Sequence, residues 1–226
     1  MVPAMTHISN WVRANGGSLV LWISSTFVAG TSVFLISSYL IRLGLDYERP
    51  LDVVWVFATL GALGGLIGGL MAGFCQYLTL RRRAQWARGW VPATVLGWTL
   101  GGCLWASLSW LLDSVVSLPL ATGQIAAVLI AAVALGWGQA LFLTRWVSRA
   151  TWWIITTLLS WLLGLVVGFV ATWALSTIFI PTPSTAFVVL VPVGILVACA
   201  IGFVSWASMS AFLSEKLPED EYSEGT

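Results

Sequence analysis

Apolar residues run along this chain in long blocks separated by short polar turns. The blocks fall at about 18–41, 52–80, 89–112, 121–146, 150–178 and 185–213. Each reaches the length of about 20 residues that a helix needs to cross a bilayer. The turns carry Arg42, Asp46, Glu48, Arg49 and Pro50, then the basic run Arg81 to Arg88, then Asp113 and Pro119, then Arg145, Ser148 and Arg149. The last turn, Pro181-Thr182-Pro183, is a strong helix breaker, because proline has no amide proton and restricts the residue before it. The pattern predicts an all-α fold, a six-helix transmembrane bundle spanning 18–213. Residues 1–17 form a polar N-terminal segment without the charged start and short cleavable core of a signal peptide. Residues 214–226 form an acidic tail, expected to be flexible at its end.

Basic residues set the expected orientation. The N-terminus, the turns after the second and fourth blocks, and the C-terminus carry Arg13, Arg81, Arg82, Arg83, Arg88, Arg145, Arg149 and Lys216, whereas the opposite side carries Arg42 and Arg49. Basic residues concentrate on the cytoplasmic side, so both termini are expected there, in a bacterial inner or thylakoid-type membrane. The same arginines could bind anionic lipid headgroups, although topology alone accounts for them.

The second block holds the clearest packing signal. Gly61, Gly65, Gly69 and Gly73 recur every four residues and stack along one side of a helix. Such a ridge admits another helix at close range, the usual basis of helix association in a membrane. Gly194, Ala198 and Gly202 repeat that spacing in the sixth block, and Gly136 holds one step of it in the fourth.

These blocks also repeat one another. At an offset of 63 residues, Gly73 falls on Gly136, Gln76 on Gln139, Leu80 on Leu143, Arg82 on Arg145, Trp90 on Trp153, Thr94 on Thr157, Trp98 on Trp161 and Gly101 on Gly164. Weaker matches extend to the ends: Gly65, Gly69, Gly73 and Gln76 match Gly194, Ala198, Gly202 and Ser205 at 129, and Trp22, Thr26 and Ala29 match Trp90, Thr94 and Gly97 at 68. A tryptophan-threonine helix thus alternates with a glycine-glutamine helix. This predicts parallel two-helix repeats around an axis along the membrane normal, with pseudo-threefold symmetry.

Gln76, Gln139, Thr94 and Thr157 lie at similar depth near the basic side. Each glutamine amide either bonds a neighbouring helix, fixing register, or lines a ligand site, for instance with its oxygen on the magnesium of a chlorophyll. Trp11, Trp86, Trp90, Trp146, Trp152 and Trp153 cluster near the basic side, and Trp55, Trp110 and Trp173 near the other, as expected for aromatic belts. Trp98, Trp105, Trp137 and Trp161 lie deeper, as packing or as a surface for a lipid tail, carotenoid or quinone. The candidate cofactor-binding residues are therefore Gln76, Gln139, Trp98 and Trp161, with lipid, carotenoid or chlorophyll as the groups considered. Pro192 falls inside the sixth block and should kink it.

Composition narrows the function classes. The chain is 59% hydrophobic and 8% charged, against about 25% charged in soluble domains. A net charge of +1 gives no electrostatic case for nucleic acid. Cys75, Cys103 and Cys199 fit no metal spacing and read as buried small side chains. No aspartate, glutamate, lysine or arginine falls near the centre of a span, and the single histidine, His7, lies outside them. Proton relays, ion paths and voltage sensors need such residues, and proteases need general acids or bases. A metal or catalytic site is therefore not expected.

The G-x-x-Q-x-x-x-L motif at Gly73-Gln76-Leu80 and Gly136-Gln139-Leu143, with Trp90-Thr94-Gly97-Trp98 following the first copy, resembles a loose group of uncharacterised membrane proteins of cyanobacteria and filamentous phototrophs. The resemblance covers about residues 60–170, departs at Ser160 in Trp153-Thr157-Ser160-Trp161, and implies no activity. The expected function is that of a non-enzymatic accessory or assembly subunit, holding other integral membrane proteins, lipids or pigments by glycine ridges and aromatic faces. The alternative is a passive channel or facilitator for a small solute, marked by a continuous line of hydroxyls and amides. A lipid-acting membrane enzyme ranks below both.

Overall fold

The computed structural model describes residues 16–31, 50–81, 83–114, 120–147, 149–178 and 186–214. The expected N-terminal segment up to residue 15 (with Trp11), the far half of the first span, the polar turns at 42–49, 115–119 and 179–185, Arg82, Ser148 and the acidic tail lie outside the described residues. What is described is all-helical: α1 (Gly16–Thr31), α2 (Pro50–Leu80), α3 (Ala87–Ser114), α4 (Leu120–Leu143), α5 (Trp152–Ile178) and α6 (Ala186–Ser214). The helices α2 to α6 are each long and apolar enough to span a bilayer. A helix bonds all its backbone groups internally, which is why such segments take this form in lipid.

Consecutive helices from α2 to α6 pack side by side. The first helix then closes the arrangement by packing between α6 and α2: Ile23 lies against Gly202 on one side, and Ala29 against Gly68 on the other. The chain is therefore a ring of helices whose two ends in sequence meet in space.

Glycines decide how closely the neighbours approach. On α2, a Cβ at Gly69 would lie 2.8 Å from Val95 Cα, and one at Gly73 would lie 3.2 Å from Val91 Cα. Gly61 and Gly65 sit closer still, against the carbonyls of Gly102 and Trp98. The four-residue ridge of α2 is thus spent on α3 along its whole length. On α4 and α6 the corresponding glycines face the corresponding partners: Gly136 packs on Ile154 and Thr157 of α5, and Gly202 on Ile23 of α1. A second set seals the remaining seams: Gly97 against Leu135, Gly138 against Gly97, and Gly164 against Ile201.

The ridge is incomplete on α4. Positions equivalent to Gly61, Gly65 and Gly69 hold Gln124, Val128 and Ala132. Gln124 accepts a hydrogen bond from Ser109 of α3, and the far half of α5 packs on α6 through Gly164 and Gly168. Ala106 on α3 is 4% exposed, whereas its counterpart Phe169 on α5 is 75% exposed, and Val170 and Trp173 beside it are also exposed.

The exterior is apolar over most of its length, with exposed Leu63, Ile67, Leu70 and Phe74 on α2 and Leu159, Leu162 and Val166 on α5. A water-soluble monomer does not present so much contiguous apolar surface. The fold is that of a multi-pass membrane protein.

Candidate functional site

The polar residues of the spans converge near the basic end. Each glutamine sits one helical turn beyond the last ridge glycine and points the same way, toward the helix that the ridge packs on. Gln76 Oε1 accepts a 2.8 Å hydrogen bond from Trp90 Nε1, and Gln139 Oε1 accepts an identical 2.8 Å bond from Trp153 Nε1. At the third such contact, Trp22 Nε1 of α1 donates to Ser205 Oγ of α6 at 3.0 Å. These are the residues that the offsets of 68 and 129 equate with the other two pairs. The weakest sequence matches thus meet each other in space, across the join between the two ends of the chain.

The three indoles fill the interior at this level. Trp22, Trp90 and Trp153 are 1%, 0% and 2% exposed. Trp90 lies 5.5 Å from Trp153, edge to face, and 6.3 Å from Trp22. Leu80, Leu143 and Met209, each four residues beyond Gln76, Gln139 and Ser205, are buried in the same cluster. Such a layer couples large aromatic burial with one satisfied polar handle per ring.

One member ties three helices together. Gln139 accepts from Trp153 on α5 and donates from Nε2 to Thr94 Oγ1 on α3 at 3.2 Å. The other hydroxyls turn back on their own helices: Thr26 and Thr157 bond the carbonyls of Trp22 and Trp153, Ser160 that of Thr156, and Ser205 that of Ile201. Deeper in the bundle, Trp98 and Trp161 pack edge to face at 6.0 Å, beside Ala29, Ala72 and Leu135. Among the described residues, one buried side-chain polar atom lacks a partner, Trp105 Nε1.

Of the candidate cofactor residues, Gln76 and Gln139 are buried, with both amide oxygens engaged by indoles, and Trp98 and Trp161 are engaged with each other. Trp90 and Trp153, expected in the aromatic belt, are core residues instead. Depth along the helix suited either place, and the direction around the helix decided it: Trp152, one residue away, is 55% exposed. Trp137, one of the deeper tryptophans, is 53% exposed and faces outward. The contact partners Gly102, Gly68 and Gly138 carried a signal that sequence reasoning passed over, since Gly102 follows Gly101 and Gly138 precedes Gln139 of the repeat.

At the basic end, Arg81, Arg83, Arg88, Arg145 and Arg149 line the turns between α2 and α3 and between α4 and α5. The three cysteines are unpaired and partly buried, and the described residues hold no cluster of metal-ligating side chains.

Fold and interior together define a class: an all-helical, multi-pass membrane protein with an aromatic, hydrogen-bonded core layer. Comparison of the chain with protein-family models, with curated proteins and with solved structures gave no match.

Proposed function

We propose that this chain is a non-enzymatic integral membrane accessory or assembly subunit, with both termini on the cytoplasmic side of a bacterial inner or thylakoid-type membrane. The observation that carries the reading is the closed interior. Trp22, Trp90 and Trp153 fill it at one level, each at most 2% exposed, and their N–H groups are satisfied by half-buried Ser205 and by buried Gln76 and Gln139. A facilitator needs polar groups left available along a path. Here the hydroxyls of Thr26, Thr157, Ser160 and Ser205 are bonded to backbone carbonyls of their own helices. That favours a scaffold over a channel.

The pseudo-threefold arrangement belongs to the same proposal. Its units are α2 with α3, α4 with α5, and α6 with α1, each joined by a glycine contact and a tryptophan hydrogen bond. The surface offered to a partner is the far half of α5, where Phe169 and Trp173 are 75% and 64% exposed. A transmembrane helix of another subunit would bury both rings.

Gentle extraction from the native membrane tests the reading, with the particle mass and absorption spectrum recorded. A particle carrying other polypeptides or pigment bands is expected, and a photo-crosslinker at position 169 should capture the partner. A solitary, colourless protein that conducts solute in liposomes would overturn it.

A further inference from the structure

The aromatic layer next to Trp22, Trp90 and Trp153 is built at only two of its three equivalent positions. The offsets of 63 and 68 that equate those three residues also equate Trp161, Trp98 and Gly30. Trp98 and Trp161 pack edge to face at 6.0 Å, in a cluster with Ala29. Gly30, beside Ala29, carries no side chain, and a Cβ there would meet nothing within 4 Å. The layer thus has open space where a third indole would begin.

The seam between α6 and α1 widens at the same level. In the equivalent seam between α2 and α3, Gly65 presses on the Trp98 carbonyl and Thr99 Cα, and Gly69 on Trp98 Cβ. Near the basic end the α6/α1 seam is as tight, since a Cβ at Gly202 would lie 2.9 Å from Ile23 Cα. Gly194, the counterpart of Gly65, meets no backbone of α1 and touches only the Phe27 ring, at 3.5 Å. The two helices therefore diverge away from the basic end. Pro192, close to Gly194 on α6, removes a backbone hydrogen bond where they part. The resulting cleft runs between Gly30, Phe27 and Gly194, and half-buried Gly30 leaves it open to the side, toward lipid.

Trp105 supplies a polar group to this region. It follows Trp98 by seven residues, which is the same inward face of α3, and packs on the cluster that holds Trp98 and Ala29. Helical side chains lean toward the N-terminus, so its ring leans back toward the Trp98 level. Its Nε1 is buried and has no hydrogen-bond partner among the described residues. A buried donor left unpaired is costly, so the region favours an occupant that accepts. The open space suits a flat ring of about indole size, with apolar faces for its aromatic neighbours and a carbonyl for Trp105. An alkyl chain would leave the N–H unpaired. The puckered end ring of a carotenoid carries methyls out of its plane and is thicker than the indole it would replace.

We infer that the α6/α1 cleft at Gly30 binds the ring of a lipid-soluble quinone. The ring takes the place of the third indole, one ring carbonyl accepts from Trp105 Nε1, and the apolar tail leaves sideways between α6 and α1. This goes beyond the subunit role and does not depend on any partner protein.

Native mass spectrometry of the full chain in detergent, titrated with decylubiquinone or with decylbenzene, tests this. One decylubiquinone should bind per chain, about tenfold more tightly than decylbenzene, which has the ring and tail but no carbonyl. Trp105→Phe removes the donor and should weaken the quinone by about three- to tenfold, erasing its preference over decylbenzene. Gly30→Trp restores the third indole and should abolish binding of both ligands. Gly17→Trp, at an exposed and equally open glycine of the same helix but at the basic end, should leave binding unchanged. Equal binding of the two ligands by the wild type would overturn the inference and mark an unselective apolar crevice. So would a Trp105→Phe variant that binds quinone like the wild type, which keeps the test decisive even if Gly30→Trp does not fold. A loss in Gly17→Trp as large as in Gly30→Trp would place the quinone elsewhere and equally sink it.

Discussion

Gly65→Ala is the sharpest probe of how this bundle is held together. The added methyl would lie 2.7 Å from the carbonyl carbon of Trp98 and 2.8 Å from Thr99 Cα, and closer still to the Trp98 oxygen. These are backbone atoms of a helix, so no rotamer can move them aside. Ordinary contact begins at 3.4 Å, so α2 and α3 must separate by at least about 0.7 Å to clear the carbonyl carbon, and by more to clear its oxygen. A gap of that order forfeits about a quarter to a half of the dispersion energy at each neighbouring contact. The contacts affected include Gly61 on Gly102 and Gly69 on Val95. Overpacking of this kind costs about 1–3 kcal/mol, offset by up to about 1 kcal/mol from alanine's better helix propensity. The expected net loss is about 1–2 kcal/mol. Equilibrium unfolding in mixed dodecyl maltoside and dodecyl sulfate micelles, followed by tryptophan fluorescence, measures it, and Trp98 at the contact itself should report the loosening. Gly30→Ala is the control, because a Cβ there meets nothing within 4 Å. It should be neutral or slightly stabilising. Equal stability of the two variants would refute the claim that the glycine ridge sets the α2–α3 distance.

The remaining predictions concern the polar layer. Gln139→Leu removes bonds to both Trp153 and Thr94 and leaves an indole N–H buried without a partner, so it should cost about 2–3 kcal/mol in the same unfolding assay. A wild-type midpoint for that variant would mean the bonds carry no stability. Ser205→Ala removes the Trp22 bond that joins the ends of the chain, and should loosen α1 by about 0.6–2 kcal/mol, read as faster proteolysis near residue 18; an unchanged digestion rate would contradict it. Trp105→Phe deletes an N–H that has no partner, whereas Trp153→Phe deletes one that is bonded to Gln139. The first should therefore be about 1–2 kcal/mol less harmful than the second, and the reverse order would show that the Trp105 N–H is in fact satisfied.

Much of the architecture was legible along the chain. Span lengths follow from bilayer thickness, and the helical form from the need to satisfy every backbone group in lipid. The ridge at Gly61, Gly65, Gly69 and Gly73 and the repeat of Gln76 and Trp90 at Gln139 and Trp153 are one-dimensional signals, and the structure gives each a contact. What the chain order could not decide was direction around each helix and the partner met there. Trp152 and Trp153 share a depth, yet about 100° of rotation sends one outward and the other into the core. The pairing of Trp22 with Ser205 joins residues far apart in sequence, and only closure of the ring brings them together. Depth in the membrane is set residue by residue through transfer from water to lipid, and sequence alone determines it. Which faces touch is set by the fit of neighbouring helices, and only the tertiary structure decides that.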